Sequence, residues 1–353
     1  MSDIKTEKIG RAAWQSPSNI ALIKYWGKKG FQIPANASVS MTLSEATTQT
    51  IVDYRPANEP GQISFDFLFD GKPNPAFATK LKGYFETIVP ELPFLTHYHF
   101  EIHSSNSFPH SAGIASSASA MSALALCLCS IEQQISNDME AEDAAFFVKA
   151  SHLARIGSGS AARSVYGGFV SWGKTPSITD SADEYATPLN KEIHPVFQHL
   201  KDSILIISKG EKKVSSRAGH GLMVRHPYAK ARYIHAEKNL ELLLQTLKTG
   251  NLNDFTAIVE NEALTLHAMM MASNPGFLLT ETGTLQVIGR ISQFRLNTGI
   301  PVCFTLDAGP NVHLLYPEKD EIAVNAFIER ELLVFCENDR MIDDKMGIGP
   351  KKL

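Results

Sequence analysis

The chain has 353 residues, of which 44% are hydrophobic and 20% charged, with a formal net charge of −4. This is globular composition that excludes extensive disorder, and the length admits two domains. The acidic balance argues against a general binder of nucleic acid or anionic membrane, so any anion site is focal.

Cys127, Cys129, Cys303 and Cys336 lie in apolar or helix-like surroundings and read as buried thiols. The N-terminus MSDIKTEKIGRAAW carries charges where a signal peptide needs an apolar core, and no stretch reaches the roughly 18 apolar residues of a membrane span. A reducing, cytoplasmic location is expected.

In chain order, Ile20–Ile23 reads as a buried strand that runs into Lys24, Tyr25 and Trp26. Lys24 either snorkels into water along Trp26 or serves an anion. Ile63, Phe65, Phe67 and Phe69 alternate as one face of a strand, and Asp70-Gly71 marks a turn. Pro75–Val89 has helical spacing. Tyr98, Phe100 and Ile102 form a strand whose other face carries His97, His99, Glu101 and His103, without a Cys or carboxylate partner at the helical or hairpin spacing that would suggest a metal.

That strand feeds Asn106–Ala118, which combines Pro109, Gly113, Ser116 and Ser117 ahead of a long helix of small residues, Ala118–Gln133. Unpaired N–H groups and the helix dipole at such a start can cradle a phosphate, with serines as donors or metal ligands; the same residues also simply end a strand and cap a helix. A further helix, Ala141–Arg155, leads to Ile156–Gly168, where Ser158, Ser160 and Arg163 form either a second anion site or a flexible loop with a surface arginine.

Phe169–Trp172 reads as a strand and Ser177–Glu184 as an exposed excursion. Beyond a domain boundary placed near residue 195 come a strand at Ser203–Ile207, a basic segment at Lys209–Arg217, and long helices at Tyr228–Leu247, Asn253–Met271 and Thr280–Leu296. A buried strand from Val302 ends at Asp307, where Ala308-Gly309-Pro310 allows a tight turn; the aspartate is either a turn former or a perturbed carboxylate. Val312–Tyr316 returns, Lys319–Cys336 gives a last helix, and the weakly patterned tail Met341–Leu353 is expected to be loosely held. Neither a Walker loop nor a Gly-x-Gly-x-x-Gly dinucleotide loop is present.

Pro109, Gly113, Ser116, Ser117 and Ala118 fit the nucleotide loop Pro-x3-Gly-x2-Ser-Ser-Ala, and on these residues the chain resembles the GHMP kinase superfamily. Asn19–Lys28, Gly157–Ser164 with Tyr166-Gly-Gly, and Asp307–Asn311 make it similar to the diphosphomevalonate decarboxylases within that superfamily. The resemblance implies an α+β, two-domain GHMP kinase fold. Residues 1–195 would be an N-terminal α/β, ATP-binding domain and 196–353 a ferredoxin-like C-terminal domain, with the active-site cleft between them.

It further implies ATP-dependent decarboxylation of diphosphomevalonate to isopentenyl diphosphate, with ATP and Mg2+ required. Asp307 would be the base, Arg163 the carboxylate clamp, and Lys24 the third catalytic residue. Tyr25, Lys28, Ser158, Ser160 and Ser216 would contact substrate. Asn106, Pro109, Gly113, Ser116 and Ser117 would hold ATP, with Ser116 and Ser117 also near the metal.

Departures from the family pattern are Ala162 where Cys is usual, and Ser215-Ser-Arg-Ala-Gly-His220 where Ser-Ser-x-x-Gly-Met is usual. Lys28–Ile33 is short, and Lys72, Lys80 and Lys82 are candidate phosphate contacts. The expected partner is the small-molecule substrate, without nucleic acid or membrane, and with a homodimer possible. The alternatives are a decarboxylase or 3-kinase acting on mevalonate or its monophosphate, and a catalytically silent metabolite-binding member of the fold.

Overall fold

The structure, a computed structural model, describes residues 8–108, 114–137, 142–189, 193–208 and 216–353. Strand β1 (Gly10–Ile23) is followed by a small hairpin, β2 (Lys28–Gly30) and β3 (Ile33–Pro34), and then by β4 (Ser38–Pro56). β1 and β4 pair antiparallel from Gly10↔Tyr54 to Ile23↔Val39 and form the spine of the larger sheet. Sequence pattern reveals only the last four residues of β1 and assigns no strand to 38–56. The reason is chemical, because β4 is rich in hydroxyl residues and resembles a loop, yet Ser38, Ser40, Thr42 and Thr48 are fully buried. The hydroxyls of Ser38, Thr42 and Thr48 bond neighbouring elements, as in Thr48 Oγ1 to Asn106 Oδ1 at 2.8 Å, while Ser40 Oγ is buried without a partner among the described residues.

Strands β5 (Ser64–Phe69) and β6 (Lys72–Pro73) are joined by Asp70 and Gly71, with φ of 49° and 73°, the positive values that a tight hairpin requires. Helix α1 (Pro75–Ile88) starts on Asn74, whose side chain accepts the Phe77 N–H. β7 (Tyr98–Asn106) lies antiparallel to β4 and parallel to β5. Its His99 is engaged by Ser64 and Asp66, and no group of three metal-ligating side chains occurs among the described residues. β8 (Phe169–Trp172) extends β4's first residues, and β9 (Ala186–Pro188) extends β8.

Helices α2 (Ser116–Ser136) and α3 (Ala144–Gly157) cover this sheet. By length and composition α2 could cross a membrane, with a mean hydropathy of 1.2, which the sequence reading did not anticipate. In the fold it is a core helix. Two of its buried serines face the sheet, where Ser122 bonds Ser16 at 2.7 Å and Ser130 accepts the Trp14 indole N–H at 2.9 Å.

The second sheet is antiparallel, ordered β11 (Cys303–Leu306), β12 (Val312–Pro317), β10 (Leu200–Leu205), β13 (Met341–Lys345). With it go α4 (Ser216–Leu222), α5 (Ala229–Thr249), α6 (Leu252–Met271), α7 (Thr282–Thr298) and α8 (Glu321–Phe327). The single helix expected over Lys319–Cys336 is instead broken. After α8 the chain widens to a π turn at Ile328–Leu332 and tightens to a 3-10 turn at Leu333–Phe335. One apolar cluster spans both sheets, including Ile20, Val39 and Met41 of the first and Ile204, Cys303 and Leu315 of the second. All four cysteines are free and buried.

The tail corrects another expectation. β13 pairs with β10, and β14 (Lys351–Lys352) pairs with β1 in the first sheet. Within β13, the buried Asp344 accepts the N–H groups of Ser44, Glu45 and Ala46 at 2.8, 2.9 and 2.8 Å. A Cβ on Gly347 would fall 2.1 Å from the Leu43 carbonyl oxygen, so only glycine fits. Backbone contacts of this kind leave no hydrophobic pattern. Replacing Asp344 with Ala strands three donors and should cost about 3 kcal/mol in urea unfolding with an unchanged m value, whereas Asp344→Asn should recover part of the loss.

Candidate active site

Three chain segments far apart in sequence meet where β1 and β11 end. Lys24 follows β1 directly, and its side chain is 2% exposed, so it does not snorkel. Asp307 follows β11 and is 25% exposed. Lys24 Nζ lies 3.5 Å from Asp307 Oδ1. Burial pulls the Lys24 pKa below its ordinary value, opposed chiefly by Asp307 and then by Glu262.

The peptide of Lys24 is gripped on both sides. Its N–H donates to Glu262 Oε2 at 2.9 Å, while its carbonyl accepts from Asn36 Nδ2 at 3.0 Å and Arg232 Nη2 at 3.2 Å. Arg232 and Glu262 form a two-pronged ion pair at 2.6 and 3.1 Å, and Asn239 donates at 2.8 Å to Oε1, the carboxylate oxygen that Arg232 Nη1 also contacts. Both members of the pair are essentially inaccessible. Sequence reasoning missed them, although Glu262 falls on the same helical face as Ile258, Val259 and Leu266. A charge on an apolar stripe is the signal that could have found it.

Arg163 lies in a 3-10 segment, Gly159–Val165, rather than in a flexible surface loop, and is 2% exposed. Nε and Nη2 donate to Asn19 Oδ1 at 3.4 and 3.3 Å, and Nη1 donates to Ser38 Oγ. The guanidinium stands 5.8 Å from the centre of the Tyr25 ring. Burial lowers its pKa to about 10, with Tyr25 and Asp307 opposing the shift, and it stays charged at neutral pH. Among the described residues it makes no ion pair. Burial likewise raises Tyr25 to about 12. A Cβ on Gly159 would lie 2.7 Å from the Trp172 ring and 2.8 Å from the Tyr25 hydroxyl, so glycine permits this close packing.

Ser158 and Ser160 flank Gly159 and are half-buried. Ser158 Oγ is 3.3 Å from Ser117 Oγ, which brings the start of α2 against the arginine segment. Ser116 opens α2 after Ala115, whose φ is +42°. Nearby, Asn106 Nδ2 is buried without a partner among the described residues, and Thr48 links Asn106 to Ser119, at 2.8 and 2.6 Å. Pro109 and Gly113 lie outside the described residues. A hollow of about 190 Å³ beside Asn106 is lined by Gln49, Ile51, Gly71, His103, Ser104 and Ser105, none of which the motifs had marked.

For magnesium, the relevant observation is the donor set. The accessible groups at the start of α2 are serine hydroxyls, and hard oxygen donors completed by phosphate and water suit a cation that keeps several waters. Lys28 Nζ donates to Gln32 Oε1 within the β2–β3 hairpin. Ser216 opens α4, which places His220 between Tyr25 and Trp26, at ring distances of 4.6 and 4.5 Å. The Gly27 N–H donates to His220 Nδ1 at 2.9 Å.

Burial lowers the His220 pKa to about 3 and the His267 pKa to about 4. Both rings stay neutral in the folded protein while the unfolded chain protonates near pH 6.5. Their stabilisation is therefore complete above about pH 6.5 and is lost progressively as pH falls toward 4. Replacing His220 with the family's usual Met should reduce the slope of unfolding free energy against pH in that window by about one proton, measured by urea titration at several pH values.

The family profile described as "Diphosphomevalonate decarboxylase-like N-terminal domain" matches residues 16–183, and "Mevalonate 5-diphosphate decarboxylase C-terminal domain" matches residues 203–348. The diphosphomevalonate decarboxylase of Saccharomyces cerevisiae is 30% identical over 335 residues, covering 90% of this chain and 80% of the relative. The crystal structure of mevalonate diphosphate decarboxylase from Staphylococcus aureus is 30% identical, with a TM-score of 0.83 and 98% of each chain covered. MDDEF, solved in complex with MVAPP, AMPPCP and magnesium, is 29% identical, with a TM-score of 0.80 and 98% and 99% coverage of this chain and of that one. The chain belongs to the diphosphomevalonate decarboxylase family.

Proposed function

We infer that this protein converts (R)-5-diphosphomevalonate and ATP into isopentenyl diphosphate, ADP, phosphate and carbon dioxide. The observation that carries this reading is Arg163, a buried guanidinium whose hydrogen-bond partners among the described residues are all neutral, close enough to the Lys24–Asp307 pair to feel its charges. A buried cation without a counter-ion is costly. A substrate carboxylate would relieve that cost while being oriented, and Arg163 would not protonate it.

Asp307 accepts the proton of the tertiary 3-hydroxyl as the oxygen attacks the γ-phosphorus of ATP, and ADP leaves. A tertiary alcohol is a poor nucleophile, so a carboxylate within hydrogen-bond reach is useful despite its modest basicity. The new phosphate ester is a far better leaving group than hydroxide. As its C–O bond breaks, electron deficiency at C3 draws the pair from the C1–C2 bond, which becomes the C2–C3 double bond while C1 departs as carbon dioxide. Lys24 balances charge beside Asp307. Tyr25, Lys28, Ser158, Ser160 and Ser216 are assigned to the substrate, and Asn106, Ser116, Ser117 and the hollow at Gly71–His103 to ATP. Magnesium, held through Ser116 or Ser117 and the phosphates, would neutralise charge during transfer.

Carbon dioxide release should be seen with ATP, magnesium and diphosphomevalonate, and be much weaker with mevalonate or its monophosphate. If the wild-type protein released none from any of the three, the decarboxylase reading would fall. Product mass spectrometry separates decarboxylation from 3-phosphorylation alone. Asp307→Asn should lower kcat by about 10²- to 10⁴-fold with little change in ATP affinity. Arg163→Lys should reduce kcat/KM by roughly 30- to 150-fold, the equivalent of about 2–3 kcal/mol for charge-assisted hydrogen bonds lost to the carboxylate.

A further inference from the structure

The two residues assigned to proton removal and charge balance, Lys24 and Asp307, project from strand ends of different sheets, so something must set the gap between them. Helix α6 contacts both backbones. Glu262 accepts the Lys24 N–H at 2.9 Å, and His267 meets the Asp307 carbonyl oxygen from Nε2 at 3.0 Å. Five residues separate the two contacts, about 7.5 Å along a helix. A carbonyl can only accept, so Nε2 carries the hydrogen of a neutral ring, in keeping with a pKa lowered to about 4 by burial. Nδ1 is then a bare acceptor, and it is buried without a partner among the described residues.

Glu262 is itself immobilised by Arg232 and Asn239, both on α5, and Arg232 also reaches the Lys24 carbonyl. We propose that α6 is the spacer of the active site, with Glu262 and His267 as positioning residues that hold Lys24 and Asp307 in register through their peptide groups. Neither residue touches the reacting atoms. The proposal rests on the decarboxylase reading, in which Asp307 is the base.

The test compares His267→Gln, His267→Asn and His267→Leu with wild type, with Val259→Ala as a core-destabilised control on the same helix. Gln can place its amide nitrogen near the position of Nε2; Asn is too short, and Leu has no donor. The readouts are kcat per titrated active site and the KM values for diphosphomevalonate and ATP, all from carbon dioxide release. The expected result is a loss in kcat of about 10- to 100-fold for Asn and Leu, with both KM values within about threefold of wild type. Gln should return kcat to within about fivefold, and Val259→Ala should lose thermal stability without losing kcat.

Equal kcat for Gln and Asn, or full kcat per active site in Asn, overturns the proposal while leaving the decarboxylase reading intact. An inactive wild type overturns both. Because Gln and Asn differ only in reach, their comparison decides the matter even where the Leu variant does not fold.

Discussion

Burying the ammonium of Lys24 is the constraint around which the site is built. An isolated buried charge is expensive enough that proteins either neutralise it or surround it with compensating groups. Here the second solution recruits both sheets. Asp307 supplies the nearest opposite charge from the end of β11, Glu262 supplies a second from α6, and Arg232 is needed in turn because Glu262 is fully buried. This cluster of charges therefore cannot be assembled by either sheet alone, and the shared apolar cluster of Ile20, Val39, Ile204 and Cys303 brings the charges together.

The polar spine of the first sheet follows similar logic at lower charge. Serine and threonine hydroxyls on β1, β4 and α2 bond one another in the interior, as in Ser16 with Ser122 and Thr48 with Ser119. Small side chains let α2 lie close on the strands, so that these hydroxyls meet without a bulky group intervening. The start of α2 is thereby set rigidly beside Asn106 and Ser158. Rigid placement matters most where phosphates must be met by fixed donors, since preorganised dipoles need little rearrangement during reaction.

Much of this was legible from the chain and some was not, for physical reasons. Apolar alternation located β5 and β7, a short apolar run located β8, and helical spacing located α1, α5 and α6. The end of β1 and the turn at Asp307 were visible because charged residues stand where apolar runs stop. β4 was invisible because its buried face is hydroxylic, and the docking of the tail because it depends on backbone N–H groups and glycines. For the site, motif residues marked Lys24, Arg163 and Asp307. What they did not mark were the groups that act through peptide units: Asn36, Glu262 and His267 touch Lys24 or Asp307 only at backbone atoms, and of these Glu262 alone leaves a sign in the spacing, as a charge on an apolar stripe.

The arrangement of charge also bears on why this cleft would carry the reaction beyond phosphoryl transfer. Phosphorylating the 3-hydroxyl calls for the base, the nucleotide and magnesium, all of which a simple kinase also provides. Arg163 adds a different demand, because its donors are shared among neutral oxygens of Asn19 and Ser38 at the long distances of 3.3 and 3.4 Å on the Asn19 side. A bound carboxylate would improve on those partners, aligning the carbon–carbon bond for the electron flow that follows loss of phosphate. Once that bond broke, the product next to Arg163 would be uncharged carbon dioxide, for which a guanidinium has little affinity. The arginine would then return to Asn19 and Ser38, so the contact proposed to order the substrate would oppose retention of the product.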